Sequence, residues 1–172
     1  MADAPPDGAQ LKCSADEGSA VVTHLTVRES IAVPPDRVLA AMTDYDQLPR
    51  WMLNVVRFEE LTAAPLAVGS RWRQTRLRFG EPAEDLCEIL RLEPPHHYEV
   101  RVQSSRGAHM HSDYVFCFQL EPAGGGTTVT LNVDGGLAGV DYGPAPEMIA
   151  HTVETLLAAD IASLKRYLEG RA

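Results

Sequence analysis

The sequence predicts a single α+β domain: a seven-stranded antiparallel β-sheet, two short helices after the first strand, and one long C-terminal α-helix. Three observations carry this. The segment Ser30 to Trp51, SIAVPPDRVLAAMTDYDQLPRW, packs a strand end, a proline break and short helices into one stretch. Six short strand-like runs follow, separated by turns rich in proline and glycine. From Pro144 onward the apolar residues return at helical rather than alternating spacing.

Taken in order, Val21 to Val33 carries Val21, Leu25, Val27, Ile31 and Val33 on one parity, with Glu29 the exception, which describes a strand with one buried face. Pro34 and Pro35 stop it, and Asp36 to Met42 reads as a helix with Val38, Leu39 and Met42 on one side. A second short helix spans about Leu48 to Met52. Strands are then expected over Val55 to Leu61, Arg71 to Phe79, Ala83 to Leu92, His97 to Ser104, Met110 to Leu120 and Thr127 to Val133, forming a meander of hairpins. In the last helix Ile149, Val153, Leu156, Leu157, Leu164 and Leu168 form one apolar stripe, with prolines at the start and Gly170 near the end.

Length and composition bound the function. A chain of 172 residues, 45% hydrophobic, can bury one real core but not two of ordinary size. A formal net charge of −9 argues against a nucleic-acid partner, which needs a basic face, and disfavours docking on anionic lipid. No apolar run approaches the roughly 20 residues of a membrane span, so no stable membrane insertion is expected. Cys13, Cys87 and Cys117 are odd in number and widely spaced, which indicates neither a disulfide framework nor a thiolate zinc motif; a reducing cytoplasm fits. Residues 1–19, MADAPPDGAQLKCSADEGS, lack the features of a secretory signal and are expected to be a disordered leader to a domain over 20–172.

Parity assigns faces. Between Met110 and Leu120 the even positions carry Met110, Tyr114, Phe116, Phe118 and Leu120, so the even side is the buried one. Tight turns would set Tyr98 and Val100 beside Phe116 and Tyr114, and Leu131 beside Phe118. His109, His111 and Asp113 alternate on the odd side. Their spacing can hold a metal, but a solvated outer face is expected, and no metal or cofactor is read from the sequence. His96 and His97 follow two prolines in a turn and read as surface, while His151 lies off the helical stripe.

Ser30 to Trp51, VGSRWRQTR at Val68 to Arg76, LEPP at Leu92 to Pro95, the F-x-L-E-P-x-G-G-G-T run at Phe118 to Thr127 and the long last helix together resemble the START-like (SRPBCC) helix-grip superfamily. Within it the chain is similar to the polyketide-cyclase/dehydrase and lipid-transport branch of the birch-pollen-allergen-like proteins. The resemblance covers about Val21 to Leu168. It implies a curved sheet gripping the last helix, and a ligand cavity between them. The family pattern also turns Trp72 inward, and Gln74 and Arg76 then share its face. A hairpin turning near Gly80 to Pro82 would set Arg76 opposite Asp85 and Gln74 opposite Cys87.

Two roles are open for these polar groups. Arg76 and Asp85 could form a rim salt bridge with Gln74 a satisfied core amide, or Gln74, Arg76 and Tyr114 could orient a polar group of an otherwise apolar ligand. In the second case Arg76→Met is expected to cost binding but little stability. The run RWRQTRLR is expected to form a cross-strand charge ladder with Glu84, Asp85 and Glu88. Asp160 falls near the edge of the helical stripe and is expected to pair with a strand cation or water. Trp51 either closes a helix-strand junction or lines a cavity mouth.

The resemblance implies binding of a small hydrophobic or aromatic molecule, polyketide- or lipid-like, in a cavity lined by Trp72, Gln74, Arg76, Tyr98, Tyr114, Phe116, Ile149, Val153 and Leu156. Its alternatives are a polyketide cyclase or dehydratase, with Arg76, Tyr114 or Asp160 moving protons, and a protein-interaction module. No nucleophile-base pair and no phosphate-cradling glycine loop is present to support the enzyme. A monomer or homodimer is expected.

Overall fold

The computed structural model describes residues 21–78, 80–106, 110–138 and 146–170. The expected leader lies outside them. The elements are β1 (Val21–Ile31), α1 (Pro35–Met42), α2 (Leu48–Trp51), β2 (Val55–Glu60), β3 (Arg71–Arg78), β4 (Glu81–Glu93), β5 (His97–Arg106), β6 (Met110–Ala123), β7 (Gly126–Ala138) and α3 (Pro146–Leu168). The strands form one antiparallel sheet in the order β1-β7-β6-β5-β4-β3-β2. The meander thus starts at one edge with β2, and β1 closes the other edge beside β7. This is the helix-grip arrangement, a curved sheet around a long C-terminal helix.

Parity sets the faces as the sequence indicates, but two registers differ from expectation. Tyr98 lies opposite Phe118, Val100 opposite Phe116 and Val102 opposite Tyr114. The reason is that β5 continues past Ser104 to Arg106, so the hairpin closes later. Likewise Gln74 lies opposite Asp85, Trp72 opposite Cys87 and Arg76 opposite Ala83, because β4 already begins at Glu81 and the strands are joined through Gly80 at φ +79°. Each slip is of two residues, so every side chain keeps its face while changing its neighbour. Leu131 does face Phe118.

The core runs from Val38, Leu39 and Met42 of α1 through Trp72, Ile89, Leu120 and Leu131 of the sheet to Leu157, Ile161 and Leu164 of α3. Burial on α3 centres on these last three residues, so Leu156, expected within the stripe, is 40% exposed, while Asp160, expected at its edge, is buried. A bulge between Ile89 and Arg91 brings Ile89 and Leu92 to the same face of β4. At Gly135, opposite Tyr114, φ is +150° and a Cβ would stand 2.2 Å from the Asp113 carbonyl oxygen, so only glycine allows β7 to approach β6 this closely.

Candidate functional site

Between the concave face of the sheet and α2 and α3 lies a cavity of about 430 Å³. Sheet residues Trp72, Tyr98, Val100, Val102, Tyr114, Phe116, Phe118 and Leu131 line one side, and Met42, Trp51, Met52, Val153, Leu157 and Ile161 the other. Leu77, Met148 and Leu156 also border it, and they are 41%, 63% and 40% exposed, which marks the open end. Of the sequence-predicted residues, Trp72, Gln74, Arg76, Tyr98, Tyr114, Phe116, Val153 and Leu156 all border this space. The side chain of Ile149 lies outside the described residues.

The polar lining is organised in two groups. In the first, Asp85 is fully buried. Its Oδ2 accepts hydrogen bonds from Gln74 Nε2 at 3.2 Å and Arg78 Nη2 at 2.8 Å, and its Oδ1 accepts one from the Ser104 hydroxyl. Arg78 Nη1 also donates to Ser104 Oγ, and Trp72 Nε1 donates to Gln74 Oε1 at 3.3 Å. In the second group Arg76 meets not Asp85 but Asp160: Nη2 donates to its two carboxylate oxygens at 2.8 and 2.7 Å. Arg76 Nε and Nη2 also donate to the Leu53 carbonyl, and Asp160 Oδ1 accepts from the Leu53 N–H at 3.1 Å. One ion pair therefore ties β3, the segment after α2, and α3 together.

Both guanidiniums are thus matched by carboxylates within the cavity wall. Burial pushes the Tyr98 phenol and the Cys87 thiol well above their ordinary values, so both line the cavity as neutral groups. Trp51 is buried, with Nε1 donating to the Ala41 carbonyl at 2.9 Å, and serves both core and lining.

Arg78, Ser104, Val102 and Ile161 are lining residues that the sequence reading did not name. Arg78 extends the even parity of Trp72, Gln74 and Arg76 by one step and was legible on that ground. Val102 and Ser104 likewise continue the inward parity of Tyr98 and Val100 along β5. Of the expected ladder to Glu84, Asp85 and Glu88, Arg71 meets Glu88 at 3.7 Å, but Arg73 turns to Glu59 of β2 at 3.0 Å and Asp85 faces inward to Arg78.

His109 lies outside the described residues. His111 is exposed, and Asp113 accepts hydrogen bonds from Arg101 and Gln103, the Arg101 guanidinium holding its carboxyl below the ordinary value. His151 is exposed. His97, read as surface, is only 5% exposed. Among the described residues one group has donor atoms close enough to share a metal ion, namely His97, Glu99 and Cys117, on the face of the sheet opposite the cavity.

The family model for polyketide cyclase / dehydrase and lipid transport proteins matches residues 22–169. The chain belongs to this family. A polyketide-cyclase-like domain of the START-like superfamily is a hydrophobic ligand-binding domain, and the helix-grip fold agrees with solved structures. Ara h 8.0201 superposes with a TM-score of 0.69 at 18% identity, over 87% of this chain and 99% of that one. A conserved protein from Geobacillus kaustophilus reaches 0.71 at 12% identity, over 87% and 96%. DynU16, a protein of the dynemicin biosynthetic locus, reaches 0.59 at 21% identity, over 85% of this chain and 47% of that one. At these identities the likeness is one of fold. No curated protein matches the chain. Among the described residues no helix is long and apolar enough to cross a membrane.

Proposed function

We propose that this polyketide-cyclase-like domain binds a small, uncharged hydrophobic or aromatic molecule, polyketide- or lipid-like, in the cavity between sheet and α3. The observation that carries the reading is the charge pairing of the lining. A cavity of about 430 Å³ falls in the range of small-molecule sites, which are apolar with a few placed polar groups. Here the placed groups are Gln74, Arg78, Asp85 and Ser104 on one wall and Arg76 with Asp160 on another. A ligand carboxylate entering this space would lie near Asp85 and Asp160 with both arginines already engaged, and burying it unpaired is costly. A ketone, phenol or ester fits instead. The hydrogen bonds of Arg76 run through Nε and Nη2, which leaves Nη1 for a carbonyl oxygen. Buried, reduced Cys87 and Cys117 suit a reducing cytoplasm.

The test is a titration of intrinsic fluorescence, since Trp51 and Trp72 line the cavity, with compounds sharing one aromatic skeleton and bearing a ketone, a carboxylate or no polar group. The ketone should bind tightest and the carboxylate weakest. Carboxylate binding equal to or tighter than the ketone's overturns the neutral-ligand reading, and failure of all such compounds to bind, with nothing retained in native mass spectrometry, overturns the binding function.

A further inference from the structure

We propose that His97, Glu99 and Cys117 form a second site, on the sheet face turned away from the cavity, that binds a divalent transition metal of the zinc class. The site is independent of the ligand-binding reading. His97 and Glu99 stand two residues apart on β5 and so share a face, and β6 sets Cys117 directly opposite Glu99. Both strands lie inside the sheet, paired on each side, so ladders rather than loops hold the three side chains. Cys117 is fully buried, and the side chains of His97 and Glu99 are 6% and 12% exposed.

The donor atoms are close to the separations a metal demands. His97 Nε2 lies 2.8 Å from Glu99 Oε1, and Cys117 Sγ lies 3.8 Å from that oxygen and 4.0 Å from that nitrogen. Tetrahedral bonds of zinc to sulfur, nitrogen and oxygen place such donors about 3.4–3.6 Å apart. A thiolate, an imidazole and a carboxylate together suit zinc or cobalt(II), whereas magnesium and calcium prefer oxygen alone.

The cluster has charged neighbours: His97 stands at ion-pair distance from Glu99, and Arg91 acts electrostatically on Glu99 and Cys117 as well as on Glu93. A buried carboxylate needs a compensating charge. Arg91, which faces Glu99 from β4, sends both Nε and Nη2 to Glu93, at 2.9 and 2.7 Å. A divalent ion between the three donors would be balanced by one carboxylate and one thiolate. With His97 Nε2 bound to the ion, the imidazole proton sits on Nδ1, and the Cys117 thiol proton is released to solvent. Binding therefore liberates one proton per ion and strengthens as pH rises. Water from the outer face completes the coordination.

The experiment titrates cobalt(II) and zinc into the full chain carrying Cys13→Ser, which removes the thiol of the N-terminal segment. One equivalent of cobalt should produce thiolate-to-metal charge-transfer absorption, displaced by zinc. Cys117→Ala should abolish that absorption, and the nearly isosteric Glu99→Gln should weaken cobalt binding by more than the roughly 10- to 100-fold that loss of an outer-shell partner costs. Absence of the charge-transfer band at one equivalent, its persistence in Cys117→Ala, or unchanged affinity in Glu99→Gln each overturns the site. Should Cys117→Ala fail to fold, the first and third readouts decide.

Discussion

Arg76 and Arg78 leave the same face of β3, two residues apart, yet their carboxylates come from different parts of the chain. Arg78 meets Asp85 within its own hairpin, and the Arg78 side chain remains 28% exposed. Arg76 meets Asp160 across the domain, with the two side chains 14% and 10% exposed. The first pair orders a polar patch in the cavity wall; the second fastens the last helix to the sheet. Neighbouring residues of one type therefore take different places in the domain, one in the cavity wall and one at the seam between sheet and helix, according to what stands across the space from each.

Breaking the second pair should have the largest effect. Removing one partner of a buried ion pair leaves the other charge uncompensated, at a cost of about 3–5 kcal/mol. Arg76→Met, expected from the sequence to spare stability, should thus lower the urea midpoint strongly. Replacing both groups, as Arg76→Met with Asp160→Leu, should recover part of the loss but not all of it, because Leu53 N–H and C=O lose their partners as well. Chemical denaturation of the two single variants and the double variant measures this directly. If the single variants match wild type, the fastening role is wrong.

Half of this pair is legible in the sequence: Asp160 is expected to meet a strand cation or water, and it meets Arg76 of β3, the partner that no pattern names in advance. The family resemblance turns Trp72 inward and parity along RWRQTRLR then places Gln74 and Arg76 on the same face, as in the structure, and the proline break at Pro34 and Pro35 ends β1 before α1. Partners are harder. A hairpin turn displaced by two residues conserves the faces and alters every opposite neighbour, which is how Asp85 came to be matched with Arg76 rather than Gln74. Asp160 is 84 residues from Arg76, and no local pattern links them. The phase of α3 was off by a fraction of a turn, enough to exchange Leu156 for Ile161. Outward parity is also not exposure: Cys117 and His97 point away from the cavity and are nonetheless buried, so a histidine after two prolines looked like surface when it is enclosed.

A smaller effect should follow from the first pair. Asp85→Asn keeps one acceptor oxygen, for Gln74, and turns an NH2 donor toward the Ser104 hydroxyl oxygen, while Arg78 is exposed enough to be solvated, so the cost should be about 1–2 kcal/mol. The informative readout is selectivity. With Arg78 no longer neutralised, the cavity gains a net positive group, and the carboxylate member of the ligand series should improve relative to the ketone. A ligand order unchanged by Asp85→Asn would show that Arg78 and Asp85 do not control which charge the cavity accepts.

The smallest effect concerns a second fastening of α3, at its far end, where Lys165 Nζ lies 2.7 Å from Glu29 Oε1 on β1. The hydrogen bond from Lys165 holds the Glu29 carboxyl below its ordinary value of 4.5. A carboxylate whose value is depressed by folding contributes stability that is fully present above its unfolded value and is lost as pH falls through the folded one. Acidification from neutral to about pH 4 should therefore begin to weaken the domain through Glu29, and Asp113, held down by Arg101, adds a loss of the same sign. Both groups are about a third exposed, so each pair is worth only about 0.2–1 kcal/mol. Lys165→Met should remove the Glu29 share alone, making the fall in urea midpoint between neutral pH and about pH 4 shallower than in wild type. An identical pH dependence in Lys165→Met would mean that Arg76 and Asp160, not the end of the helix, carry the electrostatic attachment of α3 to the sheet.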